Sequence, residues 1–331
     1  MSGIRTSAIW QREDATDSKW YAFGDGLEAK FTPTNNWKKY ESIGTKFRTG
    51  EAAGRFTGSF SITTILDYGN HHILGLAFDE DGKSGNEYTY RKVDGKRPPS
   101  FTVRTAIVNK NFGGGDDVTR TYTGCVVDSM DFSQDTGGPN IKVTMSGMYV
   151  DQSEDYTGLN NTEFIPITAD KIEWNCLRID DVEDDPIANV ETIKFGVKNN
   201  IEMLYGTCSR FAKGYFEKNT TFTVSATIYS DRPDWMRRVY SGGITPESLD
   251  DDRKPRCKNL EPIEYMYITS GVKTECTPSD ATNNCVITLK NTYVDSVAYD
   301  AKPNTKMVDS PTMSPRELSI KITTNQEPDE L

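Results

Sequence analysis

Apolar and polar residues alternate along most of the chain. Ser59-Phe60-Ser61-Ile62-Thr63-Thr64-Ile65-Leu66 carries Phe60, Ile62 and Leu66 on one face. Phe222-Thr223-Val224-Ser225-Ala226-Thr227-Ile228 does the same with Phe222, Val224, Ala226 and Ile228. A period of two marks strands half-buried on one side. Further strands are predicted over Phe101 to Asn109, Arg120 to Phe132, Ile141 to Val150, Ile263 to Ser270, Val286 to Asp300 and Leu318 to Thr324. Turn residues separate many of them, as in Asp135-Thr136-Gly137-Gly138-Pro139-Asn140. Only two short helices are predicted. Asn70 to Phe78 spaces Ile73, Leu74, Ala77 and Phe78 as a helix would, and Asp231 to Tyr240 opens with acids and a proline. Asp151 to Asp170 is polar, with few apolar residues in a row, and reads as the linker between two domains.

The elements recur in the same order in both halves. Gly54-Arg55-Phe56 matches Gly214-Tyr215-Phe216, and Phe60-Ser61-Ile62-Thr63 matches Phe222-Thr223-Val224-Ser225. Ile73-Leu74 matches Trp235-Met236. Val127-Asp128-Ser129 recurs identically as Val294-Asp295-Ser296, with Phe132 and Tyr299 three residues beyond. Ile141-Lys142-Val143-Thr144 matches Ile320-Lys321-Ile322-Thr323. The offset between the halves drifts from 160 to 179, as loop insertions would make it. The reading is an internal duplication, with one unit over 1–160 and a second over 161–331. The length of 331 residues fits two domains at roughly 100–200 residues each.

Composition narrows the function. Acidic residues number 49 and basic residues 38, a net charge of −11. Gripping phosphates needs clustered Lys and Arg, so a nucleic-acid binder is disfavoured. A protein past which nucleic acid must slide is not. No run approaches the ~18–20 apolar residues that span a bilayer, and Met1 to Arg5 lacks a signal-peptide core. The expectation is a cytosolic start and no membrane partner. The six cysteines (Cys125, Cys176, Cys208, Cys257, Cys276 and Cys285) form no CxxC pair. Cys276 and Cys285 either face each other across a hairpin or stay as thiols, which a reducing cytosol favours.

Catalytic chemistry finds little to work with. The only histidines are His71 and His72. Adjacent side chains point in different directions and cannot chelate one metal as an i, i+4 pair does. No GxSxG turn is present. Phe112-Gly113-Gly114-Gly115-Asp116-Asp117 ends in two acids that would repel a phosphate. Asp79-Glu80-Asp81-Gly82-Lys83 lacks the calcium-loop spacing and reads as a solvated acidic turn. Asp250 to Asp252 and Asp180 to Asp185 read as acidic loops. No enzyme, cofactor or metal is expected.

Three features together resemble a known family, the tail tube proteins of long-tailed phages and tailed archaeal viruses. One is a long loop, Thr32 to Gly54, before the strand from Arg55 to Leu66 and the helix near Ile73. Another is the strand Gly124 to Phe132, a turn, then Ile141 to Gly147, similar to the pair that closes the family's fold. The third is the recurrence of this order. The second half departs from it: Lys290-Asn291-Thr292 replaces the expected Thr-Gly, Lys302 to Pro315 reads as a Pro/Met-rich insert, and the loop before Gly214 is shorter.

The resemblance implies an all-β chain with a short helix per domain, as two tandem tail-tube-like β-sandwich or split-barrel domains. Strands around Ala22–Phe31, Phe56–Leu66, Val126–Phe132 and Ile141–Met148, with their second-half equivalents, would line a tube. It implies a tail tube subunit that self-assembles, as trimers with six lobes, into stacked rings that conduct the genome. Its partners would be itself, the tape measure, baseplate or tip and terminator proteins, and viral DNA passing without specific binding. It would be assembled in the host cytoplasm and reside in the virion tail. By the same resemblance Thr32, Trp37, Tyr40, Phe47, Gly50 and Gly54 would dock onto the next ring. Asp128, Asp131 and Asp295 are candidate acids for a phosphate-repelling lumen. The alternatives are a baseplate, hub or terminator protein, or a β-sandwich carbohydrate-binding module using Trp10, Trp20, Trp37, Trp174 or Trp235.

Overall fold

The computed structural model describes residues 5–14, 19–25, 27–41, 48–52, 54–108, 118–134, 140–155, 169–172, 178–180, 186–229, 262–271, 283–300 and 308–326. The first half contributes β1 (Arg5–Arg12), β2 (Tyr21–Ala22), β3 (Glu28–Asn35), β4 (Lys38–Glu41), β5 (Arg48–Ala52), β6 (Phe56–Ile65), β7 (Asp79–Ser84), β8 (Glu87–Arg91), β9 (Phe101–Val108), β10 (Val118–Gln134), β11 (Ile141–Tyr149) and β12 (Asp151–Asp155). The second contributes β13 (Arg178–Asp180), β14 (Pro186–Lys198), β15 (Ile201–Tyr205), β16 (Ala212–Glu217), β17 (Thr221–Tyr229), β18 (Ile263–Gly271), β19 (Asn284–Asp300), β20 (Val308–Ser314) and β21 (Glu317–Thr323). The fold is all-β, with a 3₁₀ helix at His71–Leu76 among the described residues.

The alternation builds the strands as expected. Ile141, Val143, Met145 and Tyr149 of β11 are buried, while Lys142, Thr144 and Ser146 between them are partly open. Phe60 and Ile62 of β6 face the same core. That core is one continuous cluster that runs from Trp10 and Phe60 in the first half to Leu289 and Ile322 in the second.

β10 is long because it serves two sheets. Its N-terminal part pairs with β9 and β12, and its C-terminal part pairs with β11 and β14. The strand turns from one sheet to the other at Gly124, whose φ is +63°. A Cβ there would sit 2.6 Å from Val150 Cγ2, so the position needs glycine on two counts. β19 repeats the construction. Its N-terminal part pairs with β18 and β21, its C-terminal part with β20, and Asn291 has φ +49° at the turn. Asparagine tolerates this region better than other non-glycine residues, so Asn291 meets the same backbone demand as Gly124.

The two series of pairings run in parallel. β3 pairs with β6, β6 with β11 and β11 with β10. β14 pairs with β17, β17 with β20 and β20 with β19. The β10–β11 ladder bulges between Val127 and Ser129, and the β19–β20 ladder between Val294 and Ser296. Each bulge therefore sets an aspartate, Asp128 or Asp295, as the extra residue.

Registers counted from these bulges correct several sequence matches. Phe60 opposes Gly147 as Val224 opposes Met313, so Phe60 takes the place of Val224 and not of Phe222. The shift is by two residues and keeps the faces. Ile141 lies in β11, which corresponds in pairing to β20, whereas Ile320 lies in β21. The Lys302–Pro315 segment holds a strand of the ladder, β20, and is not simply an insert. Asp151–Asp155, expected as linker, is β12, and the acidic Asp79–Lys83 turn is part of β7. Asp79 there is buried and accepts the Val93 N–H at 2.9 Å.

The helix expected over Asn70–Phe78 is the shorter 3₁₀ turn. Asp67 accepts the N–H groups of Gly69 and Asn70, and Asn70 Oδ1 accepts that of Asp67. Asn70 also donates to the carbonyls of Phe23 and Ile65. This polar knot holds Ile73, Leu74 and Leu76 in the core. His71 is buried, with Nδ1 2.7 Å from the Tyr90 hydroxyl, and burial lowers its pKa to about 2. The Trp235 helix and the boundary near 160 lie outside the described residues.

Candidate assembly interface

The halves meet edge to edge. β10 pairs with β14 from Ser129↔Lys198 to Ser133↔Lys194, which makes β3-β6-β11-β10-β14-β17-β20-β19 one sheet. Phe132 and Phe195 stack across the seam, with centroids 4.3 Å apart and planes at 9°. Gly196 faces Asp131, where a Cβ would lie 2.5 Å from the Asp131 carboxylate.

The bulge locks the seam's end. Asn199 is fully buried; its N–H donates to the Asp128 carbonyl at 2.7 Å and its Nδ2 to the carbonyls of Ala77 and Val127. Asp128 Oδ1 accepts the N–H of Ile201 at 2.6 Å. Ile201, at 7% exposure, is sealed against β10.

A second contact lies at the hairpins. β4 with β5 and β15 with β16 each form a separate two-stranded sheet. Tyr40 opposes Gly50 just before a bulge, and Leu204 opposes Gly214 just before a bulge. The second hairpin's turn reaches the base of the first. Arg210 donates from Nε to the Gly54 carbonyl and from Nη2 to Asn35 Oδ1, and its own carbonyl accepts the Phe56 N–H. Phe211 packs on Phe56, and Tyr205 donates to the Phe56 carbonyl.

These residues reveal a signal that the sequence matches passed over. Lys30-Phe31, Asn35-Asn36, Phe47 and Gly50 recur as Lys194-Phe195, Asn199-Asn200, Phe211 and Gly214, all 164 residues on. Asn36 donates to the Arg55 carbonyl as Asn200 donates to that of Asn219. The loop before Gly214 is thus as long as its counterpart, and Gly50 is the glycine that matches it.

The ring-docking candidates divide. Thr32 lies inside β3, opposite Ser59, so the connecting segment begins later than expected. Trp37 is 52% exposed beside the Arg210 guanidinium. Tyr40 and Gly50 pair within the hairpin, and Gly54 closes its base, where a Cβ would overlap the Asn36 carbonyl. Phe47 lies outside the described residues.

The three acids also divide. Asp128 turns into the seam. Asp131 is exposed on the open face of the long sheet, and partial burial raises its pKa. Asp295 is exposed at its own bulge and accepts a hydrogen bond from Ser314. The open face around Asp131 is mostly hydroxyl. Ser61 pairs with Ser146, Ser146 with Ser129, and Ser225 with Thr312. Lys30, Lys142, Lys194 and Lys198 stand among them, and exposed Glu28 lies in the same cross-strand row as Asp131.

Other candidates resolve into packing. Trp10 is buried between Tyr21 and Phe101, and Arg104 covers Trp20. Trp174 and Trp235 lie outside the described residues, as does Cys276. Cys285 is a buried thiol with its pKa pushed up to about 12 by desolvation. Among the described residues no cluster of three metal-ligating side chains occurs.

The family model described as phage tail tube protein matches residues 6–250. No curated protein matches the chain. The match spans both hairpins, the 3₁₀ turn and the seam between β10 and β14. The chain belongs to the phage tail tube protein family, a structural family of the virion tail.

Proposed function

We propose that this chain is the tail tube subunit itself, and that it carries two copies of the tube domain. Three chains would close into a ring of six lobes, and rings would stack into the conduit for the genome. The observation that carries this reading is the eight-strand sheet with two open ends. Among the described residues β3 pairs only with β6, and residues 293–300 of β19 pair only with β20. Each half supplies four strands in the same order, and open edges of this kind seek strand partners. A closed ring removes them.

The open face of the sheet would line the lumen. Passage would then rest on a carpet of Ser and Thr hydroxyls, with Asp131 set against nearby lysines, more than on a wall of acids. The hairpin segment from Trp37 to Gly54 would reach neighbouring subunits. The tape measure, baseplate or tip and terminator proteins would meet the tube at its ends, and assembly would take place in the host cytoplasm.

Negative-stain electron microscopy of the purified chain over a range of concentrations, with mass measured in parallel, tests the reading. Hollow tubes or six-lobed rings of three chains are the expected result. Rings that never stack would assign the chain to a terminator or hub. A monomer at every concentration would overturn self-assembly.

A further inference from the structure

The seam inside the chain is a template for the seam between chains. The matching bulges set Asp295 where Asp128 stands, and the hairpin registers set Asn35 and Trp37 where Asn199 and Ile201 stand. Inside the chain these positions are buried and bonded: Asp128 holds the Ile201 N–H, and Asn199 fills the back of the bulge. At the ends of the sheet the same positions are exposed and bonded only within their own chain: Ser314 donates to Asp295, Arg210 to Asn35 Oδ1, and the Trp37 N–H to the Asn35 carbonyl at 2.9 Å. Asp295 and Asn35 are exposed, and Trp37, at 52%, is among the large apolar side chains left in solvent.

We infer that the C-terminal part of β19 pairs with β3 of a second copy of this chain, and that Asp295 takes the Trp37 N–H of that copy in place of the Asn35 carbonyl that this N–H bonds in the single chain. The register follows from the internal one. Ser129↔Lys198 translates to Ser296↔Thr34, Asp131↔Gly196 to Ala298↔Thr32, and Phe132↔Phe195 to Tyr299↔Phe31. The aromatic pair is preserved, and the last step sets Asp300 against Lys30, opposite charges at adjoining ends. Trp37 passes from solvent into the seam, as Ile201 does within the chain. Asp128 and Asp295 are then seam residues, and Asp131 alone of the three acids faces the conduit.

This inference rests on the tube reading, and its test separates the two. Thr32→Cys and Ala298→Cys are introduced together in a chain carrying Cys208→Ser, Cys208 being an exposed native thiol. Both new positions are exposed, and directly paired residues lie within disulfide reach. Oxidation of the assembled protein should give interchain disulfides ending in a closed covalent species. The pair Thr32→Cys with Val297→Cys, one residue out of register, should give none. In parallel, Asp295→Ala should raise the concentration needed for assembly about tenfold while the melting temperature of the unassembled chain stays unchanged. Asp128→Ala should do the reverse, lowering the melting temperature. Tubes that form without the 32–298 crosslink, or an Asp295→Ala chain that assembles at the unaltered concentration, would overturn the seam and leave the tube reading standing. A chain with no self-association at all would overturn both.

Discussion

Phe132 and Phe195 lie ring on ring across the β10–β14 seam, 4.3 Å between centroids and 9° between planes. The two residues come from different halves of the chain and are both nearly inaccessible to solvent. Their contact joins the two four-strand sets into one surface. Phe195→Ala would remove the ring and leave a cavity, at a cost of about 3–5 kcal/mol. Equilibrium urea unfolding should show this loss of stability. A change below about 1 kcal/mol would mean the seam is not part of the stable core.

Asn199 serves the seam through hydrogen bonds. Asn199→Leu keeps the approximate volume but leaves the Ala77 and Val127 carbonyls without this buried donor. A destabilisation of about 2–4 kcal/mol is expected. Amide hydrogen exchange should localise the weakening to β10 and β14, with β18 protected as before.

His71 gives the fold a pH dependence. Burial holds its folded pKa near 2, against 6.5 for an ordinary histidine. The unfolded chain binds the proton below about pH 6.5 and the folded one does not. The stability contributed by neutral His71 is therefore present above that pH and declines as pH falls, by about 1.4 kcal/mol per unit at most. His71→Gln should flatten the acid limb of a stability–pH curve. An unchanged slope would show that His71 is not the group responsible.

Arg210 ties the second hairpin to the base of the first through Gly54 and Asn35. Arg210→Ala removes both bonds and the cation beside Trp37. Limited proteolysis should then cut between Asn36 and Gly54 several-fold faster, with global stability lowered by only about 1 kcal/mol. Equal cleavage rates would show that the hairpin holds its place without this clamp.

The strands with clean alternation were legible in the sequence. β6, β10, β11, β17 and β19 follow from a period of two, and the repeated Val-Asp-Ser marks both bulges. β20 escaped notice because Asp309 and Pro311 share its buried face with Met313. Its ladder to β17 lapses between Thr312 and Asp309, around Pro311, which has no N–H to give. The seam was harder still to read. Asn199 draws its role from Ala77 and Val127, which are remote in sequence, and no local pattern announces such a contact. The constant spacing from Lys30-Phe31 to Lys194-Phe195 would have found it. The earlier matches followed apolar alternation, which a shift of two residues leaves intact.

The β10–β14 seam also imposes an order in time. β10 is complete when residue 134 has been made, yet its partner ends only at residue 198. At ~5–20 residues per second the ribosome leaves that edge waiting for several seconds. Identical chains made side by side each bear the same open edge and the same complementary strand. The tether between residues 134 and 186 is what favours the right partner, because it keeps β14 at an effective concentration in roughly the millimolar range. Lengthening that tether would turn a folding step into a contest between neighbours, and exchanged halves would be its product.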